Sequence, residues 1–145
     1  MSHLFDTLAV GDVVATAQVP LSRDALVRYA GASGDFNPIH YRDDVAQSVG
    51  LPGVLAHGML TMGVAVQPVI DWCGSAGWVS AYQVRFTKPV PVDAVSGASL
   101  EIEAKVGALT HAEDDSVSAV RIDLTVRAHT GETVLGKAQV TVTRR

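Results

Sequence analysis

Between Gly58 and Trp72 nearly every side chain is apolar, whichever face of a helix it would occupy. A helix of that kind has to be enclosed by the rest of its domain. The lipid bilayer is excluded as the enclosure, because Thr61, Gln67, Pro68 and Asp71 interrupt a run already too short to span it. The remainder of the chain must therefore wrap the helix. Pro68 lacks an N–H and should kink the last turn or end regular hydrogen bonding there. Gly58, Gly63 and Ala65 are small enough for backbone or ligand to come close.

The wrapping material is legible as strands. Trp78, Ser80, Tyr82, Val84 and Phe86 alternate with Val79, Ala81, Gln83 and Arg85; Leu100 to Val106 and Val120 to Ala128 alternate in the same way, and a last strand runs through Val134, Ala138, Val140 and Val142 after a turn at His129–Glu132. One-sided alternation implies antiparallel pairing with one wet face. A further short strand covers Val13–Val19 and is closed by Pro20. Ser22 is placed to cap a helix through Leu26, Val27, Tyr29 and Ala30, with Asp24 in its first turn and Gly31 and Gly34 stopping it. Asp43 to Val49 makes about two turns, with Asp43 capping the start and Gly50 the end. His111–Ser116 reads as a solvated loop.

With 145 residues, 48% hydrophobic and 18% charged, the chain is one globular domain with enough apolar mass for a core. Its formal charge of -4 supplies no basic patch, so neither nucleic acid nor an anionic membrane is an expected partner. The single cysteine, Cys73, excludes an intramolecular disulfide and a cysteine-based metal site. Met1–Asp6 has neither a basic nor an apolar leader region, which makes the cytoplasm the expected compartment.

Chemistry concentrates in Tyr29–His40, where Asp35, Asn37 and His40 fall within six positions on backbone broken by Gly31, Gly34 and Pro38. Imidazole titrates near neutrality, and a neighbouring carboxylate can fix its tautomer or share a water with it. Gly-Asp-x-Asn-Pro is equally good turn chemistry. His40 tilts the balance towards a site, as does Ala56–Gly63, a loop turning into the N-terminus of the apolar helix.

Together these stretches resemble the MaoC-like (R)-specific enoyl hydratases. Tyr29, Gly34, Asp35, Asn37, Pro38, Ile39, His40 and Ala46 fit the hydratase signature of that family, and Ala32 departs from it only in size. The resemblance implies an α+β, single hotdog fold, with an antiparallel sheet wrapped around the apolar helix, and an overhang over residues 22–53 that covers an acyl-binding cleft. It also implies cofactor-free, reversible syn hydration of trans-2-enoyl thioesters of CoA or acyl carrier protein to (R)-3-hydroxyacyl thioesters. Within the family, Gly58–Gly63 and Val84–Thr87 are most similar to catalytic subunits of the dehydratases of mycolic-acid elongation. Those work beside a second hotdog subunit, so a homodimer or a heterodimer is expected.

Such a reaction needs a polarised carbonyl, a held water and a proton carrier. The first N–H groups of a helix are unpaired, which makes the Gly58 amide the candidate oxyanion donor. His40 is assigned as base towards water and Asp35 as its partner and proton donor to Cα, with roles that can exchange with direction. Asn37 orients the pair or the substrate carbonyl. His57, Met59 and Thr61 are candidate substrate contacts, although His57 also suits a loop-backbone hydrogen bond and Thr61 a bond back to its own helix. Asp35 and His40 alone fall short of a metal site, and none is expected. His3, His111 and His129 read as surface residues. The alternatives are a hotdog acyl thioesterase and a non-catalytic acyl-binding subunit.

Overall fold

The computed structural model describes residues 3–145; Met1 and Ser2, the start of the segment read for a leader, lie outside the described residues. Strands β1 (Val13–Leu21), β2 (Gly77–Phe86), β3 (Ala98–His111), β4 (Val117–Ala128) and β5 (Thr133–Arg144) form one sheet in the order β1-β3-β4-β5-β2. Every neighbouring pair is antiparallel. Helices α1 (Arg23–Ser33) and α2 (Asp43–Ser48) lie between β1 and the long helix α3 (Gly58–Cys73), which touches all five strands. This is the expected hotdog.

Alternation becomes burial. Leu100, Ile102, Ala104 and Val106 on β3 and Val120, Ile122, Leu124 and Val126 on β4 point into the core, while Glu101 and Lys105 face solvent. Two strands change phase. On β2 the register shifts between Val79 and Ala81, so Val79, Tyr82 and Val84 pack inward while Trp78 and Phe86 stay exposed. On β5, Lys137 adopts φ 46° beside a second register shift, and that extra residue lets both Leu135 and Ala138 face the core.

Several local expectations need correction. Strand β1 runs past Pro20 to Leu21; it is an edge strand, where a missing N–H can be tolerated. Helix α1 passes through Gly31 and ends only at Gly34, whose φ of 76° carries its N–H to the Ala30 carbonyl. Ser22 caps it as expected, accepting from Ala25 N–H at 3.3 Å. Helix α3 continues through Pro68 to Cys73. Its buried face is Thr61, Ala65, Val66, Val69 and Cys73, whereas Met59, Gly63, Gln67 and Ile70 are exposed, so a single chain encloses only one side of it.

Asp43 does not cap α2. Its carboxylate turns away to accept Val54 N–H at 2.9 Å and two guanidinium N–H groups of Arg23 at 2.9–3.3 Å, while Arg23 Nε–H also donates to the Val92 carbonyl. This clamp fastens the starts of α1 and α2 to the segment that leads into α3. The Val54 N–H, then Arg23, hold the Asp43 carboxyl below its ordinary value of 3.8. A depressed carboxyl contributes stability above its unfolded value and loses it as pH falls through the folded one. Asp43→Asn should therefore lower the melting temperature at neutral pH, and the gap to wild type should close only below about pH 4, as followed by thermal circular dichroism. Ile122, fully buried in β4, should cost roughly 2–5 kcal/mol on substitution by Ala, read as a lower urea midpoint at unchanged slope.

Candidate active site

The turn reading of Tyr29–His40 is met by its hydrogen bonds, which also set where Asp35 and His40 stand. Asp35 N–H donates to Ser33 Oγ at 3.2 Å, and Ser33 Oγ–H donates in turn to the Tyr29 carbonyl at 2.7 Å, which anchors the loop to the end of α1. Asn37 N–H donates to Asp35 Oδ1 at 3.2 Å, and Asn37 Oδ1 accepts Ile39 N–H at 3.2 Å to start the 3-10 turn Pro38–His40. One carboxylate oxygen is thereby held by the turn. The other, Oδ2, stands 3.9 Å from His40 Nε2.

His40 is held from behind. Its Nδ1–H donates to the Leu55 carbonyl at 2.7 Å, and Leu55 N–H donates to the Ile39 carbonyl at 3.1 Å, so the two segments brace one another. With the proton on Nδ1, the Nε2 lone pair is left towards Asp35. The His40 side chain is 11% exposed and that of Asp35 is 49% exposed, which puts the pair at the edge of solvent.

His57 is 1% exposed. Its Nε2–H donates to the Asp35 carbonyl at 3.1 Å, which matches the backbone-bonding reading. The ring stacks on His40 with centroids 3.9 Å apart and planes at 24°, and Tyr29 meets it edge-on at 4.8 Å. His57 Nδ1 is buried with no hydrogen-bond partner among the described residues. The stack joins residues far apart in sequence, and only Tyr29's place in the motif and the position of His57 before Gly58 hinted at it.

Gly58 opens α3, and although His57 occupies the capping position its side chain makes no cap bond. A cavity of about 230 Å³ lies beside Gly58, with Ala56, Thr61, Phe86, Val90 and Leu135 among its lining. A Cβ on Gly58 would sit 3.1 Å from two Phe86 ring carbons, so any larger residue would have to push the Phe86 ring aside. Thr61 serves both readings, lining the cavity while its hydroxyl donates to the His57 carbonyl at 3.4 Å. Met59 is exposed at the first turn. Asp35 and His40 do not line this cavity; they join its Gly58 wall through His57.

Asp35, His40 and His57 also bring metal-capable atoms within 4.8 Å of one another, a grouping that counting Asp35 and His40 alone had missed. Both rings already donate to backbone carbonyls, which leaves one ring nitrogen on each, His40 Nε2 and His57 Nδ1, without a bond among the described residues.

Residues 6–120 match the family model for the MaoC like domain. Over 72 residues the chain is 40% identical to 3-hydroxyacyl-thioester dehydratase X of Mycobacterium tuberculosis, a match covering 48% of this chain and 24% of that protein. A solved MaoC-like dehydratase superposes with a TM-score of 0.85 at 36% identity, covering 97% of this chain and 42% of that one. R-hydratase PhaJ1 of Pseudomonas aeruginosa gives 0.77 at 25% identity, covering 97% and 84%. The chain thus spans less than half the length of the first two. The family match runs over most of the chain and takes in Asp35, His40 and Gly58, and this chain belongs to the MaoC-like domain family.

Proposed function

We propose that this chain adds water reversibly to trans-2-enoyl thioesters, giving (R)-3-hydroxyacyl thioesters. The observation that carries the proposal is the His40 tautomer: Nδ1–H is committed to the Leu55 carbonyl, and Nε2 faces Asp35 Oδ2 across 3.9 Å. That gap is too long for a direct hydrogen bond and fits one bridging water. The names of the mycobacterial dehydratase and of R-hydratase PhaJ1 support the same reaction class.

In the hydration direction His40 Nε2 takes a proton from the held water as its oxygen bonds to Cβ. Electron density moves through the alkene to the thioester oxygen, where the Gly58 N–H, at the positive end of α3, stabilises it. The carboxyl of Asp35 gives its proton to Cα on the same face and regains one from His40 through the next water. Water is thereby added with no redox change, and dehydration is the reverse. Asn37 orients the pair by shaping the turn, its side-chain oxygen accepting Ile39 N–H and its backbone N–H donating to Asp35.

Residues 22–53, with α1 and α2 clamped by Arg23 and Asp43, form the overhang above the acyl cleft in this reading, and Met59 stands on the substrate side. CoA or acyl carrier protein is the carrier and the cytoplasm the compartment. A second hotdog chain, identical or related, lies along β2. That edge strand leaves Trp78 49% exposed beside the open face of α3 that carries Ile70, at 40%.

Asp35→Asn and His40→Ala should each slow hydration of a short trans-2-enoyl thioester by about 10²–10⁴-fold, followed by loss of its conjugated absorbance, with far-UV circular dichroism unchanged. Near-normal turnover in either variant refutes the assignment, and free thiol appearing at the rate of substrate loss identifies a thioesterase instead. Trp78→Lys should shift the particle towards one chain in light scattering, and a wild type that is itself monomeric removes the partner.

A further inference from the structure

We infer that His57 is the positioning residue that holds the acid–base pair in register with the first turn of α3; the assignment rests on the hydratase reading above. Its near-complete burial removes it from the substrate's path. Its contacts instead point at the machinery. Through Nε2–H it grips the carbonyl of Asp35, through its ring face it supports His40, and through its own carbonyl it accepts Thr61 N–H at 3.1 Å to begin α3. Gly58 follows it directly in the chain. One residue therefore bridges both halves of the site, through its side chain to Asp35 and His40 and through its backbone to α3.

Two features make histidine poorly explained by stability alone. Nδ1 is buried without a partner among the described residues, and a lost hydrogen bond of this kind is destabilising. At the capping position of a 16-residue helix the ring makes no cap bond. Ser, Thr, Asp or Asn there would direct an oxygen onto the second and third N–H groups of the helix, beside the Gly58 N–H that a thioester oxygen needs. Histidine turns inward and leaves them open. An apolar aromatic would also leave them open and would remove the orphaned nitrogen, but it would let go of the Asp35 carbonyl.

That contrast supplies the test. His57→Phe keeps the planar stack on His40, removes the unpaired nitrogen and deletes the bond to Asp35. It should melt no lower than wild type, yet lose about tenfold to a hundredfold in kcat, the scale expected when reacting groups are slightly misplaced, with KM nearly unchanged. His57→Gln, which restores an N–H donor without the ring, should recover part of that loss. Turnover is expressed per folded molecule from circular dichroism, so unfolding does not mimic the effect. Wild-type kcat in His57→Phe overturns the assignment, as does a rise in KM alone, which would mark a substrate contact. Should His57→Phe not fold, His57→Gln decides alone: a fall in kcat at constant KM supports the role and wild-type kcat ends it. A wild-type chain that hydrates no enoyl thioester defeats the hydratase reading instead, whereas an active wild type matched by His57→Phe defeats only the role of His57.

Discussion

The burial of one face of α3 against the sheet is the constraint from which the rest of this structure follows. Thr61, Ala65, Val66, Val69 and Cys73 give the helix a single inward stripe, and the inward residues of β3, β4 and β5 complete the core beneath it. Fixing the helix this way also fixes its N-terminus. The positive end of a 16-residue helix is held at a defined place, next to a cavity and against Phe86, before any catalytic residue is considered. Core packing and site geometry are thus one problem in this chain.

Asp35 and His40 are positioned through backbone pairing rather than through the core. Residues 54–57 run between two neighbours: Val54 and Ala56 are tied to Val92 and Val90, and Leu55 is tied to Ile39 and His40. The Arg23–Asp43 clamp closes the same region from outside, with Asp43 taking Val54 N–H. Because the Leu55 carbonyl both accepts from His40 and belongs to this braced segment, the tautomer of the imidazole is set by the fold. A local loop rearrangement would cost His40 its orientation as well as its position.

Most of the fold was legible in the sequence because the strands have one wet face, and period-two burial survives almost any detail of tertiary packing. What was lost followed from long-range competition. Asp43 looks like a helix cap, but Val54 N–H and Arg23, far away in sequence, outbid the local helix for its carboxylate. Pro20 looks like a strand end, but an edge position leaves its missing N–H unneeded. The register shifts at Val79–Ala81 and near Lys137 cannot be seen in an alternation pattern that counts both residues of a bulge as one step. In the site, Asp35, His40 and Gly58 announce themselves by residue type and spacing. The stack of His57 on His40 does not, since it depends on the path of two loops.

The apolar surface of α3 is larger than the part this chain buries. A helix needs one apolar stripe to sit on a sheet, yet Met59, Ile70 and the small Gly63 continue the apolar surface onto the side this chain leaves open. The neighbouring β2 presents an unpaired edge and an exposed Trp78. Edge strands left uncovered invite pairing, and monomeric proteins usually blunt them with charge, proline or a short length. Here the edge is ten residues long and carries a single charge, Arg85, near its end. The open helix face and the open strand edge belong to neighbouring elements, and the second chain proposed above, continuing the sheet from β2, would cover both.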